Sequence, residues 1–319
     1  MEEYINITLD NIDQEHICCA ISDKKHSEGV FNKKEWLKKR ITEGHVFRKL
    51  NVQGKVFVEY APLEKAWVPI EGNGFLYIYC LWVSGKFKGH GYGKQLLEYV
   101  INDAKKKGKQ GVCVISSKKK KSYLADKKFF LKYGFEVVDQ IEDYELLSLS
   151  FNHQKPSFCK NVKQMMIGSN HMTIYYSPQC PFTLNCINEI KEYIKDYNIQ
   201  VDFIKIDTLE KAKNIPCIFN NWAVFKNGKY VSNIFLAVAL GMFVCFIYTL
   251  FVSKSRRPSR RELLSGSFTK VDVQNPNAQF MYQDKKYSPQ SSGSSGGHSG
   301  GHSSGGHSGG GHSGGGHHI

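Results

Sequence analysis

What this sequence lacks narrows the field first. Its nine cysteines follow no framework of regular spacings, which argues against a disulfide-stapled secreted scaffold and fits a reducing compartment. The opening run MEEYINITLDNIDQ is acidic and has neither the basic start nor the apolar core of a signal peptide, so translation is expected to begin on a cytosolic domain. No zinc-finger spacing, basic zipper or aromatic RNA-binding signature accompanies the formal charge of +14. The charge therefore has no partner motif for reading bases, and nucleic acid is set aside as a partner. Much of the excess sits in lysine runs such as Lys105-Lys106-Lys107 and Lys118 to Lys121, which read as solvated faces or as a surface for an anionic ligand.

What is present is organised around Leu76 to Leu97, LYIYCLWVSGKFKGHGYGKQLL: an apolar strand, a loop with glycine at alternate positions, and a helix opening. Gly89, Gly91 and Gly93 allow positive φ and close approach of a ligand to the backbone. The first N–H groups of the following helix have no internal partner and sit at the positive end of its dipole, so the turn can hold a phosphate. Lys86, Lys88 and Lys94 add charge. The spacing matches neither the dinucleotide fingerprint nor the P-loop.

The run Lys88 to Leu97 resembles instead the pyrophosphate loop of the GNAT N-acetyltransferases, in which Arg/Gln-x-x-Gly-x-Gly/Ala binds acetyl-CoA, with Lys88 at the usual Arg/Gln position. Phe129-Phe130-Leu131-Lys132-Tyr133-Gly134-Phe135 is similar to a second signature of that family, Phe-Tyr-x-x-x-Gly-Phe. Periodicity agrees with the family's order: a strand from Tyr4, a helical region from Ser22 to Glu43, short strands Val46 to Leu50 and Lys55 to Tyr60, the long strand and loop, a helix to Lys107, a strand Val112 to Ser116, a helix Tyr123 to Tyr133, and paired strands to Phe151. The fold class expected is α/β (α+β), a GNAT-type mixed sheet with flanking helices.

The resemblance implies acetyl-CoA as co-substrate. Lys88, Gly89, His90, Gly91, Tyr92, Gly93 and Lys94 would hold its pyrophosphate, and a backbone N–H within Leu81, Trp82 and Val83 would polarise the thioester carbonyl. The family's proton-donating tyrosine falls at Phe130, which has no proton to give, so Tyr133 or Tyr123 is expected to substitute, or water to serve. Glu59, Glu71 and His90 are general-base candidates by position, with Glu71 retained beside the two tyrosines. Trp36, Trp67 and Tyr79 read equally as pocket lining or as core.

From Met172 the pattern changes to strand, helix, strand and then a hairpin turning at Asn227-Gly228. Cys180 opens the helix, and Ile215-Pro216 falls where a thioredoxin-like fold places a cis-proline. The resemblance is to acetyltransferases carrying a C-terminal YoaP-like, thioredoxin-like domain, although Cys180-Pro181-Phe182-Thr183 lacks the second cysteine of the redox motif. A helix N-terminus would lower the thiol pKa of Cys180, leaving open a monothiol redox role or a binding surface.

Residues 234–252 carry no charge and read as one transmembrane helix. The basic flank from Lys254 to Arg261 argues for a cytosolic C-terminal side. Translocating the folded domains away from acetyl-CoA argues the reverse, and the N-terminal domains are taken as cytosolic. The Gly/Ser/His-rich end reads as a disordered tail able to gather divalent metal weakly; no structural metal site is expected. The expected organisation is a GNAT domain over 1–155, the YoaP-like domain over 156–232, the membrane helix over 233–253 and the tail over 254–319. Three functions stay open: an N-acetyltransferase acting on a small-molecule amine, a silent acyl-CoA-binding membrane adaptor, and a thiol oxidoreductase acting through Cys180.

Overall fold

The structure is a computed structural model that describes residues 3–17, 24–121, 123–195, 199–219 and 221–232. In chain order it places β1 (Tyr4–Asn6), α1 (Ser27–Ile41), β2 (Val46–Leu50), β3 (Val56–Pro62), β4 (Ile70–Glu71), β5 (Phe75–Val83), α2 (Tyr92–Lys106), β6 (Gly111–Ser117), α3 (Lys127–Leu131), β7 (Glu136–Ile141) and β8 (Tyr144–Ser150). A short strand, β9 (Ser157–Phe158), leads into β10 (Met172–Tyr176), α4 (Thr183–Lys195), β11 (Val201–Lys205), α5 (Leu209–Lys213), β12 (Trp222–Lys226) and β13 (Lys229–Ser232).

The first half is a seven-stranded sheet in the order β1-β2-β3-β5-β6-β8-β7. Every neighbouring pair is antiparallel except β5 and β6, which run parallel because α2 carries the chain back across one face. The apolar sequence of β5 and the apolar run Val112 to Ile115 of β6 suit a position covered on both faces. On one face Leu96, Leu97, Val100 and Ala104 of α2 are buried against Val58, Tyr60, Ile78 and Val114. Sequence periodicity overestimates α3: the helix begins only at Lys127, where the Asp126 carboxylate caps it by accepting from the Lys128 N–H at 2.9 Å. Upstream, the Ser116 hydroxyl donates to the Ala125 carbonyl at 2.6 Å and holds the preceding segment as a loop.

The second half is a four-stranded sheet in the order β11-β10-β12-β13. β10 and β11 are parallel, while β12 and β13 are antiparallel to their neighbours. Asn227 and Gly228 take φ of 50° and 75°, as a hairpin with a two-residue turn requires. No cis peptide bond occurs among the described residues, so Pro216 follows a trans bond, contrary to the expectation from sequence.

The two halves share a core. Trp36, Phe75 and Ile115 belong to the same buried cluster as Phe158, Ile206, Ile215 and Phe225. The link is reinforced by polar groups: β9 pairs with β4, and the Lys213 ammonium donates to the Leu63 and Ile70 carbonyls at 2.9 and 2.8 Å. Gly29 of α1 lies so close to the second half that an added Cβ would stand 1.8 Å from the Pro181 carbonyl oxygen, so only glycine permits this approach. Among the described residues no helix is long and apolar enough to cross a membrane. The expected membrane helix at 234–252 and the His-rich tail lie outside the described residues.

Candidate active site

β5 and β6 stay paired from Phe75 opposite Gly111 to Ile78 opposite Val114 and then part, although β5 continues to Val83 and β6 to Ser117. The parting coincides with a bulge. Glu59 of β3 faces Cys80 and Tyr60 faces Ile78, which leaves Tyr79 as the extra residue and bends β5 away from its neighbour. Beyond Ile78 the β6-facing edge of β5 has no partner strand, so its backbone polar groups face a cleft rather than a ladder.

At the open end of β5 lies the glycine loop. Gly89 and Gly91 have φ of 82° and 80°, and a Cβ added at either would meet nothing within 4 Å. Gly91 is the residue at the N-terminus of α2 and offers no side chain to cap it. The first-turn donors and the positive end of a four-turn helix are thereby presented to open space, the arrangement that accepts a phosphate. Lys88 and Lys94 are exposed beside it, and Lys94 stands 3.7 Å from Glu98.

The cleft holds a cavity of about 130 Å³. One wall comes from Tyr79, Cys80, Leu81, Val114 and Tyr123. Other lining residues belong to the second half: Gln179 and Cys180 ahead of α4, Thr183 at its start, Phe219 and Asn221 before β12, and Trp222 at its first position. Their place in this cavity is invisible to motif reading because they come together only through the shared core.

The expected site residues separate. Leu81 and Tyr123 line the cavity, and the Tyr123 hydroxyl is 3.4 Å from that of Tyr144. Trp82 and Val83 lie farther along β5, opposite Phe57 and Val56. Tyr133 is not in the lining; it packs on Phe129 with ring centroids 5.0 Å apart, and Phe130 is fully buried beside Phe135. Glu71 sits on β4, exposed, and accepts from the Ser157 hydroxyl at 3.3 Å. His90 is exposed on the loop.

Glu59 is not placed to be a base for an acceptor. Its carboxylate accepts two bonds from Lys33 at 2.8 and 2.9 Å and one contact from His45 at 3.0 Å, all three residues being buried. Burial alone would raise its pKa, but the Lys33 charge and the His45 bond outweigh it and hold the carboxyl at about 2. Burial pushes the His45 imidazole pKa down, against the opposing pull of Glu59. Trp36 and Tyr79 enclose His45 at 5.3 and 5.0 Å, and Trp67 packs on Trp36, so these tryptophans are core rather than pocket.

Cys180 departs from the expected chemistry. Burial pushes its thiol pKa up, and neither the Phe182 N–H nor the Thr183 hydroxyl reverses the effect. The cysteine lies ahead of α4 rather than in its first turn, and desolvation opposes the thiolate. Cys180 and Cys186 are both free thiols. No group of three or more His, Cys, Asp or Glu among the described residues is placed to hold a metal.

A mixed sheet whose single parallel pair opens onto a glycine loop and a helix N-terminus defines a GNAT-type acyltransferase. Comparison with known proteins agrees: a model of the acetyltransferase (GNAT) domain matches residues 52–137, and a YoaP-like model matches residues 200–239. Over 238 residues the chain is 42% identical to the uncharacterized N-acetyltransferase YoaP of Bacillus subtilis (strain 168), covering 74% of this chain and 95% of that one. The chain belongs to this family of GNAT N-acetyltransferases with a YoaP-like C-terminal part. Among solved structures, the PaiA N-acetyltransferase of Thermoplasma acidophilum, in complex with coenzyme A, is 14% identical over 47% of this chain and 99% of that one, with a TM-score of 0.34. A GNAT acetyltransferase of Brucella melitensis, in complex with acetyl-CoA, is 15% identical over 50% and 94%, with a TM-score of 0.32. The uncapped, side-chain-free loop at Gly89 and Gly91 fits the pyrophosphate of acetyl-CoA as co-substrate.

Proposed function

We propose that this N-acetyltransferase moves the acetyl group of acetyl-CoA directly onto the amine of a small molecule held where β5 and β6 part. The observation that carries the reading is that parting itself. It puts unpaired β5 backbone beside a cavity, and the glycine loop follows at the end of the same strand. The residues Lys88 to Lys94 hold the pyrophosphate, chiefly through backbone N–H groups, and the free edge of β5 around Leu81 polarises the thioester carbonyl. The neutral amine nitrogen attacks that carbon, the C–S bond breaks, the amine proton leaves to water, and the CoA thiolate takes a proton. Tyr123 is the donor favoured by position, since it lines the cavity while Tyr133 and Glu71 do not. The test is amine-dependent release of CoA from acetyl-CoA across an amine panel, followed with a thiol reagent.

A silent acyl-CoA-binding role has one supporting observation, the buried Phe130 where the family's donor stands. Binding of acetyl-CoA with no turnover on any amine would favour it. The strand order of β10 to β13 supports a thioredoxin-like ancestry for the second half, and the raised thiol of Cys180 favours a wall of the site over a redox centre. Residues 234–252 would anchor the enzyme in a membrane with its catalytic half in the cytosol, a reading supported by their lack of charge. Release of the full chain from membranes by alkaline carbonate would end it. The His-rich tail would gather divalent metal weakly.

A further inference from the structure

The cavity between the halves also carries information about what it accepts. Among the described residues, no Asp, Glu, Lys, Arg or His lines it. Its polar groups are the hydroxyls of tyrosine and threonine, the Cys80 and Cys180 thiols, the Trp222 indole N–H, the amides of Gln179 and Asn221 and the free backbone edge of β5; the rest is aromatic and aliphatic. The buried charges of Lys33 and Glu59 are spent on each other and on His45.

The wall supplied by the second half is fixed in place. The Asn221 side-chain oxygen accepts from the Ser177 hydroxyl at 3.3 Å, and its backbone carbonyl accepts from the Thr183 hydroxyl at 3.3 Å. The Phe219 ring stands edge-on to Tyr144 at 4.8 Å and to Tyr123 at 6.1 Å, so the two halves meet through aromatic rings, of which Phe219 and Tyr123 line the cavity. The Cys217 thiol donates to the Phe219 carbonyl at 3.1 Å and pins that segment from behind.

From this lining, and resting on the acetyl-transfer reading above, we infer that the acceptor is a compact monoamine with an uncharged, apolar body, and that the YoaP-like half is the part that selects it. An acceptor carrying a carboxylate or phosphate would shed its hydration with no cation to receive it, and a second ammonium would find no carboxylate. One ammonium is tolerated on entry, because aromatic faces attract it. The uncharged surroundings then favour loss of its proton, which attack on the thioester requires. Size points the same way: a cavity of about 150 Å³ accommodates one benzene ring, and this one measures about 130 Å³. Amino acids, polyamines and aminoglycosides are thereby disfavoured.

The test uses the full chain with acetyl-CoA and three probes: benzylamine, 4-(aminomethyl)benzoate and putrescine. The expected kcat/KM for benzylamine exceeds that for each of the others by about 100-fold, the cost of burying one unpaired charged or polar group. Phe219→Ala raises the benzylamine KM about 10-fold and leaves acetyl-CoA affinity unchanged, while Phe219→Leu restores most of the loss. Asn221→Asp, which keeps the acceptor for Ser177 and adds a carboxylate to the wall, raises putrescine turnover relative to benzylamine. Benzylamine outrun by either charged probe, or unaltered KM values in both wall variants, overturns this inference and leaves acetyl transfer standing. Acetyl-CoA binding without acetylation of any probe or of a wider amine panel overturns the transfer reading, and this inference with it.

Discussion

Replacing Gly91 by alanine separates two contributions of the glycine loop. Gly91 has φ of 80° and opens α2, and the space where a Cβ would project is empty within 4 Å. The protein itself therefore meets no clash, and the cost to folding is the left-handed conformation alone, about 1 kcal/mol. For a domain of this size that lowers Tm by about 2–4 °C. Ligand binding should suffer more, because the new methyl group enters the space reserved for the pyrophosphate and removes at least one backbone bond to a charged oxygen, about 1.5–3 kcal/mol. Acetyl-CoA affinity should fall about 10- to 100-fold by calorimetry. Gly108→Ala is the control: its φ of 61° and empty surroundings impose the same strain just beyond the far end of α2. It should lower Tm equally and leave affinity untouched. Lys94→Ala removes an exposed charge already shared with Glu98 and should weaken binding only about 5-fold. The reasoning is refuted if Lys94→Ala weakens binding more than Gly91→Ala, or if Gly108→Ala weakens it as much.

Other outcomes follow from the same geometry. Tyr123→Phe should lower kcat for acetyl transfer about 100-fold with little change in acetyl-CoA affinity, while Tyr133→Phe should not; equal effects in a steady-state assay would deny Tyr123 its place as proton donor. Glu59→Gln leaves Lys33 buried without its counter-charge and should cost about 3–5 kcal/mol of stability in urea unfolding. Because the Glu59 carboxyl is held at about 2 against a usual 4.5, its contribution is present above pH 4.5 and is lost as the pH falls toward 2. The stability gap between wild type and Glu59→Gln should therefore narrow over that interval, and a constant gap would contradict the buried ion pair. Lys213→Met removes two bonds that tie α5 to the first half and should cost about 1–3 kcal/mol, read as a lower urea midpoint. Cys180 should react with iodoacetamide at pH 7.5 more slowly than free cysteine, in keeping with its raised pKa.

Features set by local sequence are legible in the sequence alone. The loop from Lys88 to Gly93, the face of α2 and the Asn227-Gly228 hairpin depend on residues within a few positions of one another, and each lies where its pattern places it. The strand parting was not legible, because it depends on a one-residue register change between Glu59 and Tyr60 that no periodicity records. The partnership of Lys33, His45 and Glu59 was equally hidden. These residues come from α1, the turn before β2, and β3, and only tertiary burial turns a surface-looking glutamate into a fixed ion. The same limit explains Cys180. A helix-opening cysteine reads as an activated thiol, yet burial against the first half reverses the direction of its shift. Part of the cavity wall belongs to residues near Phe219 that no catalytic motif marks.

The central claim is that the opening between β5 and β6 brings acetyl-CoA and an amine together for direct transfer. Its most direct measurement is a single assay of CoA release and N-acetyl product, with benzylamine and a wider amine panel offered to the full chain. The account predicts that CoA release depends on amine, that it matches N-acetylated product mole for mole, and that Gly91→Ala suppresses both. CoA release independent of amine, or an enzyme saturated with acetyl-CoA that acetylates no amine, would contradict it.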